Sequence, residues 1–388
     1  MISRAQATAI KGYLESTANK VIIIYGARQV GKTTLVSGIL ESLDKRILSI
    51  DGDQQQYVQV LSSRDLGLLG GLVQGYDILF IDEAQRIPDI GINLKLLHDH
   101  YKDLRIIVTV SSSLELASRV TEPLTGRSRI FHLHPISTIE WRDHDTLNNF
   151  EMGQALNSFL RYGLYPEPLT IQNSNEKIEQ LIALRDGYLY RDILTMGRIE
   201  YPEKIPLLAR MLAYQIGSEV SIQELATALR IHRETVEHYI NLLEQNFIIR
   251  RIGGFSRNLR KEVTKMDKIY FVDVGMRNAI LEDFSPIEIR GDKGALLENF
   301  FVMEMIKAAA LRRYHASFYF WRLYSGAELD LIVHRDGQLN GFEVKWKKSR
   351  KKGPASWFNA YPDATYTSVR AADYFSAIDT FAGQDTPA

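Results

Sequence analysis

A short glycine-containing segment, Gly26 to Thr33, has the residue types needed to hold a polyphosphate. Its sequence is G-A-R-Q-V-G-K-T, and the apolar run Val21 to Tyr25 precedes it. Glycines allow the backbone angles at which consecutive N–H groups point inward at phosphate oxygens. Lys32 neutralises the β and γ phosphates in such a loop, and Thr33 offers its hydroxyl to Mg²⁺. The segment therefore predicts a nucleoside triphosphate site.

The helix that follows, predicted over Thr34 to Leu43, directs its positive end at the same phosphates. One continuous segment is therefore expected to hold the nucleotide. Its residues are Gly26, Ala27, Arg28, Gln29, Val30, Gly31, Lys32, Thr33 and Thr34. Such a loop contacts phosphates and not the base, so these residues leave ATP and GTP open.

A second apolar run, Asp77 to Ile81, ends in the two acids Asp82 and Glu83. As a Walker B strand, it would use Asp82 to hold the Mg²⁺ shell and Glu83 to polarise the attacking water. A strand followed by two acids is commonplace by itself. Combined with the phosphate loop upstream, it favours hydrolysis of the nucleotide over binding alone.

A third run, Leu104 to Val110, is followed by serines, and a γ-phosphate sensor is expected over Thr109 to Ser112, with Ser111 at the strand end. Farther along, Arg127 lies in the segment L-T-G-R-S-R. A planar guanidinium suits the charge that develops on a transferred phosphoryl group, which makes Arg127 a candidate arginine finger. A solvent-facing arginine in a polar turn is the alternative.

Composition limits the classes of protein to consider. The chain has 388 residues, of which 45% are hydrophobic, and its formal net charge is zero. Two or three domains are expected from this length, and any nucleic-acid surface must come from local basic patches. Cysteine is absent, which removes disulfides and thiolate chemistry. With no signal-like or membrane-spanning run in the sequence, we expect a cytoplasmic protein without membrane contact.

Beyond the first core, residues 136–215 are expected to be mostly helical and to form a lid. From Ser221 a capping box starts a helix–turn–helix pattern that resembles a winged helix, with strands predicted over Phe247 to Ile252 and Lys268 to Asp273. Between Arg250 and Lys268 there are seven basic and two acidic residues. The basic residues of the intervening loop are Arg257, Arg260, Lys261 and Lys265. This charge suits DNA phosphates, while packing against a protomer or a protein partner is the alternative.

The last region carries a second set of chemical residues. Glu298 lies in a predicted helix, Asp330 in a predicted strand, and Glu343 and Lys345 on one face of another strand. Their order resembles the PD-(D/E)XK nuclease fold. That resemblance implies that Glu298, Asp330 and Glu343 bind Mg²⁺ while Lys345 orients water or stabilises developing charge. Two interpretations are possible: an active nuclease, or an inactive fold that only binds DNA.

A basic run follows Glu343: six of the eight residues from Lys345 to Lys352 are basic. Such a run, with Trp346 inside it, suits a nucleic-acid backbone. A solvated loop is the alternative.

Taken together, the motifs are similar to those of a prokaryotic family of AAA-type ATPases with a C-terminal domain that has an endonuclease-like core. The segments that carry the resemblance are G-A-R-Q-V-G-K-T-T, F-I-D-E-A-Q, L-T-G-R, K-I-Y-F-V-D-V-G, G-A-L-L-E-N-F, E-L-D-L and E-V-K. It implies an α/β protein with a P-loop NTPase core, a helical lid, a winged helix-turn-helix and a restriction-endonuclease-like domain. The predicted boundaries are 1–135, 136–215, 216–280 and 281–388.

The resemblance also implies ATP and Mg²⁺ as cofactors, and a homo-oligomer, with a hexamer as the expected ring. Val110-Ser111 departs from the Gly-Ser that members of this family tend to show, so the sensor position is less secure. The favoured hypothesis is an ATPase that remodels or translocates DNA, including branched, Holliday-junction-like DNA. The alternatives are a nucleotide-switched scaffold or signalling ATPase that acts on protein partners, and an ATP-gated, metal-dependent nuclease.

Overall fold

The computed structural model of the chain describes residues 2–111, 120–189, 199–256, 266–347 and 352–383. Contacts divide the chain into two units, Met1–His134 and Pro135–Ala388. In the ranges described, no helix is long and apolar enough to cross a membrane.

Five parallel strands form the sheet of the first unit, in the order β2-β3-β4-β1-β5. The strands are β1 Val21–Gly26, β2 Ile47–Asp51, β3 Ile78–Asp82, β4 Arg105–Val110 and β5 Ser128–Leu133. Every residue of β1 is buried, as expected for a parallel strand that is covered on both faces. The apolar runs of the sequence therefore became the central strands of this sheet.

A first helix precedes β1, and further helices connect the strands. They are α1 Ala7–Glu15, α2 Lys32–Glu41, α3 Gln55–Leu61, α4 Leu66–Val73 and α5 Ile90–His100, with short 3₁₀ turns at Ala84–Arg86 and Glu122–Leu124. Because β1, β3 and β4 are parallel neighbours, the loops that follow them emerge at one edge of the sheet. That edge carries the phosphate loop and the two acids of the predicted Walker B strand.

The second unit begins with helices, as the sequence predicts for the residues after 135. Its helices are α6 Thr138–Asp145, α7 Asn149–Tyr162, α8 Pro166–Thr170, α9 Ser174–Gly187, α10 Lys204–Tyr214, α11 Ile222–Leu229, α12 Arg233–Gln245, α13 Val274–Leu281, α14 Lys293–Arg312, α15 Ala355–Ala360 and α16 Tyr374–Gly383. A further 3₁₀ turn covers Ile287–Ile289.

Two sheets complete the second unit. An antiparallel pair consists of β6 Ile249–Ile252 and β7 Lys268–Phe271. A four-stranded sheet has the order β11-β10-β9-β8, with strands β8 Ala316–Arg322, β9 Glu328–Arg335, β10 Gln338–Lys345 and β11 Thr365–Arg370. Trp321 and Trp357 are fully buried in its core, with ring centroids 5.2 Å apart.

Both predicted strands of the antiparallel pair are shorter than expected, and strand β6 begins at Ile249 instead of Phe247. Strand β7 ends at Phe271, whereas the sequence pattern extends it to Asp273. Asp273 is instead the N-cap of α13, and its carboxylate accepts the backbone N–H groups of Gly275 and Met276 at 2.8 and 3.1 Å. Since an aspartate satisfies the free N–H groups of a first helical turn, the chain leaves the strand before it reaches this residue.

A buried ion pair holds the start of the second unit against its longest helix. Glu304 is 1% exposed, and its carboxylate accepts from the backbone N–H and the hydroxyl of Thr138, both at 2.7 Å. The Lys307 ammonium lies 2.7 Å from Glu304 and donates to the carbonyl oxygen of Ile136 at 3.1 Å. Both charges are thus paired and hydrogen-bonded, which is the condition for burying them.

Removal of either partner should leave the other charge buried and unpaired. We expect Glu304→Ala or Lys307→Ala to lower the free energy of unfolding of the second unit by about 3–5 kcal/mol. The double variant Glu304→Leu/Lys307→Met should cost less than the sum of the two single changes. Urea denaturation followed by tryptophan fluorescence measures this unit selectively, since all four tryptophans lie beyond residue 135.

The exposed pair Arg370–Asp373, also three residues apart, serves as the matched control. Its side chains are 48% and 44% exposed, so removing it should change the urea midpoint little. Equal losses for the buried and exposed pairs would contradict the assigned role of Glu304.

Candidate functional site

The predicted nucleotide residues meet at the carboxyl edge of the first unit's sheet. Strand β4 lies between β1 and β3, so the ends of these strands, Gly26, Val110 and Asp82, are neighbours. Ligands of open parallel sheets bind outside the carboxyl ends of the strands. The sheet order therefore brings together groups that are up to 84 residues apart in the chain.

The loop itself has the geometry that its glycines allow. Gly31 has φ +89° and is the N-cap of α2. At Gly26 a Cβ atom would lie 2.1 Å from the carbonyl oxygen of Leu133, so only glycine fits between β1 and β5. Ala27 and Val30 are buried, whereas Gln29 is exposed and Arg28 partly so. The buried members fix the loop and the others face outward.

Lys32 is 5% exposed, although it carries an ammonium group. Its Nζ donates to the carbonyl oxygens of Gly26 and Ala27 at 3.1 and 2.8 Å. Burial lowers the pKa of Lys32 to about 8, against the opposing attraction of Glu83 and Asp82. A phosphate chain in the loop would supply a further anionic partner for Lys32, because an opposite charge favours the ammonium form.

A hydrogen-bond chain joins α2, β3 and β4. The Thr33 hydroxyl donates to Asp82 Oδ2 at 2.8 Å. The other carboxylate oxygen of Asp82 accepts from the hydroxyl of Thr109, and the oxygen of that hydroxyl accepts from the Glu83 backbone N–H at 2.9 Å. Thr33 and Thr34 are exposed and so remain accessible to a ligand. Hydroxyl and carboxylate oxygens are the ligands that Mg²⁺ prefers, so Thr33 and Asp82 fit this ion.

Glu83 leaves the strand in a left-handed conformation, with φ +51°. Its carboxylate accepts from the Ser111 hydroxyl and from the Gln85 side-chain amide. The same amide contacts Ser111 Oγ at 3.1 Å. The structure thus brings Ser111 to Glu83, and Gln85 is a member of the cluster that the sequence did not single out. Its position two residues after Glu83, in F-I-D-E-A-Q, is the signal that could have identified it.

Arg127 lies at the opposite edge of the sheet from these residues. It precedes β5, whose first residue pairs with the first residue of β1. Its Nε donates to Asp99 at 2.9 Å, and hydrogen bonds from Arg127 and His98 hold the pKa of Asp99 well below its usual range. The phosphate loop of the same chain therefore does not include Arg127. An arginine finger offered to another subunit stays a prediction.

The predicted nuclease residues come together in the second unit. Lys345 Nζ lies 3.8 Å from Asp330 Oδ2 and 3.5 Å from Glu343 Oε1. Strands β9 and β10 pair antiparallel, which places these side chains together as the alternation predicts. Glu298 lies on α14. Within the described residues, its side-chain hydrogen bonds go to β7 and not to the two strand acids.

The residues of β7 that hold Glu298 are Lys268 and Tyr270. Lys268 Nζ lies 3.0 Å from Glu298 Oε1 and 3.9 Å from Asp330 Oδ1, and the Tyr270 hydroxyl donates to the same Glu298 oxygen at 2.8 Å. The sequence pattern places Lys268 in the basic wing and does not predict this contact. Strand alternation puts Lys268 and Tyr270 on one face, which is the only sequence signal that could have linked them.

Burial dominates the electrostatics of this cluster. It raises the pKa of Glu298 to about 7, helped by the repulsion of Asp330 and opposed by Lys268 and Tyr270. It also raises the pKa of Asp330. For Lys268, burial would lower the pKa, but the attraction of Glu298 and Asp330 outweighs it and the pKa rises. Among the described residues, no group of three or more His, Asp and Glu side chains is arranged to hold a metal ion.

Several residues predicted to contact DNA lie outside the described part of the chain. They are Arg257, Arg260, Lys261 and Lys265, together with Lys348, Arg350 and Lys351 of the later basic run. The second helix of the helix–turn–helix pattern, α12, is described. It exposes Arg233, Glu234, Glu237 and His238, so this face carries two acids and one arginine. That face offers little to a phosphate backbone.

Comparison with known families identifies the first unit. Residues 18–141 match the model of a family described as an AAA domain. Residues 153–286 and 293–373 match two domains of unknown function, DUF8612 and DUF4143. The parallel sheet with the phosphate loop after β1 agrees with the first of these matches. The prediction of a P-loop ATPase core is confirmed, while the winged helix and the nuclease-like core stay predictions.

Solved structures resemble the chain more weakly. The Walker-type ATPase PABY2304 of Pyrococcus abyssi is 14% identical, covers 72% of this chain and 96% of its own, and has a TM-score of 0.48. The RuvB Holliday junction branch migration motor of Thermotoga maritima is 18% identical, covers 64% of this chain and 90% of its own, and has a TM-score of 0.30. Scores of this size do not establish a shared overall fold or a shared function.

Relatives of the whole chain are more informative. The uncharacterized protein Rv2008c of Mycobacterium tuberculosis is 30% identical over 333 residues, which are 84% of this chain and 70% of that protein. Mb2031c of Mycobacterium bovis matches to the same extent. The uncharacterized protein MJ1544 of Methanocaldococcus jannaschii is 26% identical over 304 residues, which are 74% of this chain and 66% of that protein. The chain therefore belongs to the family of the mycobacterial proteins Rv2008c and Mb2031c, and its residues 18–141 are an AAA-type P-loop ATPase domain.

Proposed function

We propose that the chain hydrolyses ATP with Mg²⁺ at the carboxyl edge of the first sheet and uses the cycle to act on DNA. The observation that carries the first half is the contact chain from Thr33 through Asp82 and Thr109 to Glu83. When bound, Mg²⁺ neutralises charge on the β and γ phosphates. Thr33 and Asp82 would hold the ion, and Lys32 would pair with the phosphates.

Glu83 is the residue that would activate water. Its carboxylate already has two donors, the Ser111 hydroxyl and the Gln85 amide, which fix its direction. A general base has to reach the attacking water by a hydrogen bond, and the fixed carboxylate supplies that reach once the triphosphate is in place. Ser111 and Gln85 are therefore proposed to orient Glu83, with Ser111 also near enough to sense the γ-phosphate.

The DNA half of the proposal rests on charge in the sequence. Seven basic residues against two acidic ones lie between Arg250 and Lys268, and six basic residues lie between Lys345 and Lys352. Neutralising phosphates releases counterions, so two such patches favour binding to duplex or branched DNA. The helix–turn–helix pattern, α11 and α12, followed by the β6–β7 pair agrees with a winged helix that presents the first patch as a wing.

A specific observation favours a second candidate function. The exposed face of α12 carries Glu234 and Glu237, which would repel phosphates if this helix entered a DNA groove. A basic protein partner would fit this face better. The alternative is therefore a nucleotide-switched scaffold or signalling ATPase, in which α12 binds a protein.

Assembly belongs to the same proposal. Arg127 is 36% exposed on its side chain and lies away from the phosphate loop of its own chain. As an arginine finger it would have to act on a neighbouring subunit, in a homo-oligomer such as a hexameric ring. The hydrogen bond from Arg127 to Asp99 would then have to break, or Arg127 would have to contact Asp99 and the neighbouring subunit together.

Loss of the carboxylate of Glu83 should stop turnover without stopping nucleotide binding. We expect Glu83→Gln to reduce kcat for ATP hydrolysis by about 10²–10⁴-fold, because proton transfer to the base is lost. The Kd for ATP should stay within a few-fold of the wild-type value. Steady-state phosphate release and equilibrium binding of a fluorescent ATP analogue measure the two quantities.

Lys32→Ala is the comparison variant, since it should weaken binding as well as turnover. Full turnover in Glu83→Gln would remove Glu83 from the role of base.

ATP binding should be linked to proton uptake by Lys32. The free protein has a Lys32 pKa of about 8, and phosphate contacts should restore the ammonium form. Uptake should therefore rise from roughly a quarter of a proton at pH 7.5 to nearly one at pH 9. Since the bound state holds the extra proton, affinity for ATP should fall as the pH rises above about 8. Calorimetry in buffers of different ionisation enthalpy measures the number of protons.

Lys32→Arg provides the control, because a guanidinium stays charged across this range. Equal uptake by wild type and Lys32→Arg would assign the proton to another group.

DNA should stimulate ATP hydrolysis, and the basic residues between β6 and β7 should be the contact. We expect the quadruple change Arg257→Ala, Arg260→Ala, Lys261→Ala and Lys265→Ala to abolish stimulation and to reduce the salt dependence of DNA binding, because fewer counterions are released. ATP hydrolysis with duplex, single-stranded and four-way-junction DNA over a salt series measures this effect. The basal rate without DNA should not change.

Glu234→Gln/Glu237→Gln is the matched control on α12. It should leave DNA stimulation in place if the loop is the DNA contact. If none of the DNA forms changes the rate of ATP hydrolysis and the chain assembles in the presence of ATP, the scaffold function would instead be favoured.

A further inference from the structure

The acidic cluster of the second unit contains an ammonium group where the nuclease resemblance requires a metal ion. Lys268 Nζ lies 3.0 Å from Glu298 and 3.9 Å from Asp330. The side chain of Lys268 is only 7% exposed, so its ammonium group is buried with the acids. It lies 5.6 Å from the centre of the Phe320 ring, which adds a favourable contact to the cation.

Each of the three acids already has a donor. Glu298 accepts from Lys268 and Tyr270, Asp330 accepts from the Val344 backbone N–H at 2.7 Å, and Glu343 accepts from the Tyr366 hydroxyl at 2.6 Å. A divalent ion would have to compete with the Lys268 ammonium for Glu298 and Asp330. Lys345, the second ammonium of the cluster, lies within 3.8 Å of both strand acids.

The net charge of the cluster points the same way. Three carboxylates and two ammonium groups leave the cluster with about one net negative charge when all are ionised, which is a weak attraction for a divalent ion. The residues present therefore do not fit a nuclease metal.

We infer that Lys268 is a built-in cation that takes the place of a divalent metal among Glu298, Asp330 and Glu343, so that this cluster works without metal. The chain then has a nuclease-like set of acids that does not cleave DNA through a bound ion. The cluster instead attaches β7, and with it the β6–β7 pair, to α14 and β9. A backbone contact to β8 adds to that attachment, since the Phe255 N–H donates to the Phe320 carbonyl oxygen at 2.7 Å.

Binding of Mn²⁺, followed by electron paramagnetic resonance, tests this inference on the 388-residue chain. The variant Asp82→Asn serves as the background, because it removes a carboxylate of the nucleotide site that could hold the same ion. Without nucleotide, we expect no bound Mn²⁺ up to about 1 mM, a concentration that fills even weak protein sites. In the same background, Lys268→Ala should create a Mn²⁺ site, because it leaves Glu298 and Asp330 without their cation.

Lys268→Arg is the matched control and should bind no Mn²⁺, since the guanidinium keeps the charge. Mn²⁺ binding by the Asp82→Asn chain that disappears on adding Asp330→Asn would overturn the inference. A folded Lys268→Ala chain that binds no Mn²⁺ would overturn it as well. If Lys268→Ala does not fold, Mn²⁺ binding by the Asp82→Asn chain, with and without Asp330→Asn, still tests whether the acidic cluster binds a metal.

Discussion

The hydrogen bond between Thr33 and Asp82 is the contact on which the proposed nucleotide site of the first unit is built. It joins the first turn of α2 to the end of β3, and Thr109 extends it to the end of β4. These three elements can only meet because β4 lies between β1 and β3 in a parallel sheet. The parallel order thus brings three distant motifs together at one proposed site.

Much of that site follows from the sequence, because its motifs are local and strand direction is predictable. A loop after a buried strand and acids at the end of another must emerge on the same edge if the strands are parallel. The same reasoning from strand direction also locates Arg127, although its local motif does not. It precedes β5, so strand direction alone places it at the opposite edge. Its partner Asp99, on another element, follows from no local pattern.

The second unit was less predictable, because its cluster depends on contacts between distant segments. Alternation along β10 correctly places Glu343 and Lys345 together, and pairing with β9 adds Asp330. Nothing local connects Lys268 to Glu298, which are thirty residues apart on a strand and a helix. A lysine among basic neighbours predicts a solvent-facing wing, and only the packing of β7 against α14 buries it. Tertiary burial therefore changed the role of Lys268 from surface charge to internal counterion.

A tethered ammonium and a bound metal ion solve the same electrostatic problem differently. Carboxylates that are brought together and buried resist ionisation. Burial contributes most to the raised pKa of Glu298, and the repulsion of Asp330 adds to it. A metal relieves this repulsion only when it is available and only after the ligands lose their protons. Lys268 is part of the chain itself, so the second unit can fold and bury its acids without a bound metal ion. An acidic cluster of this composition therefore stabilises the attachment of β7, whereas a nuclease needs those same carboxylates free for a metal and a phosphate.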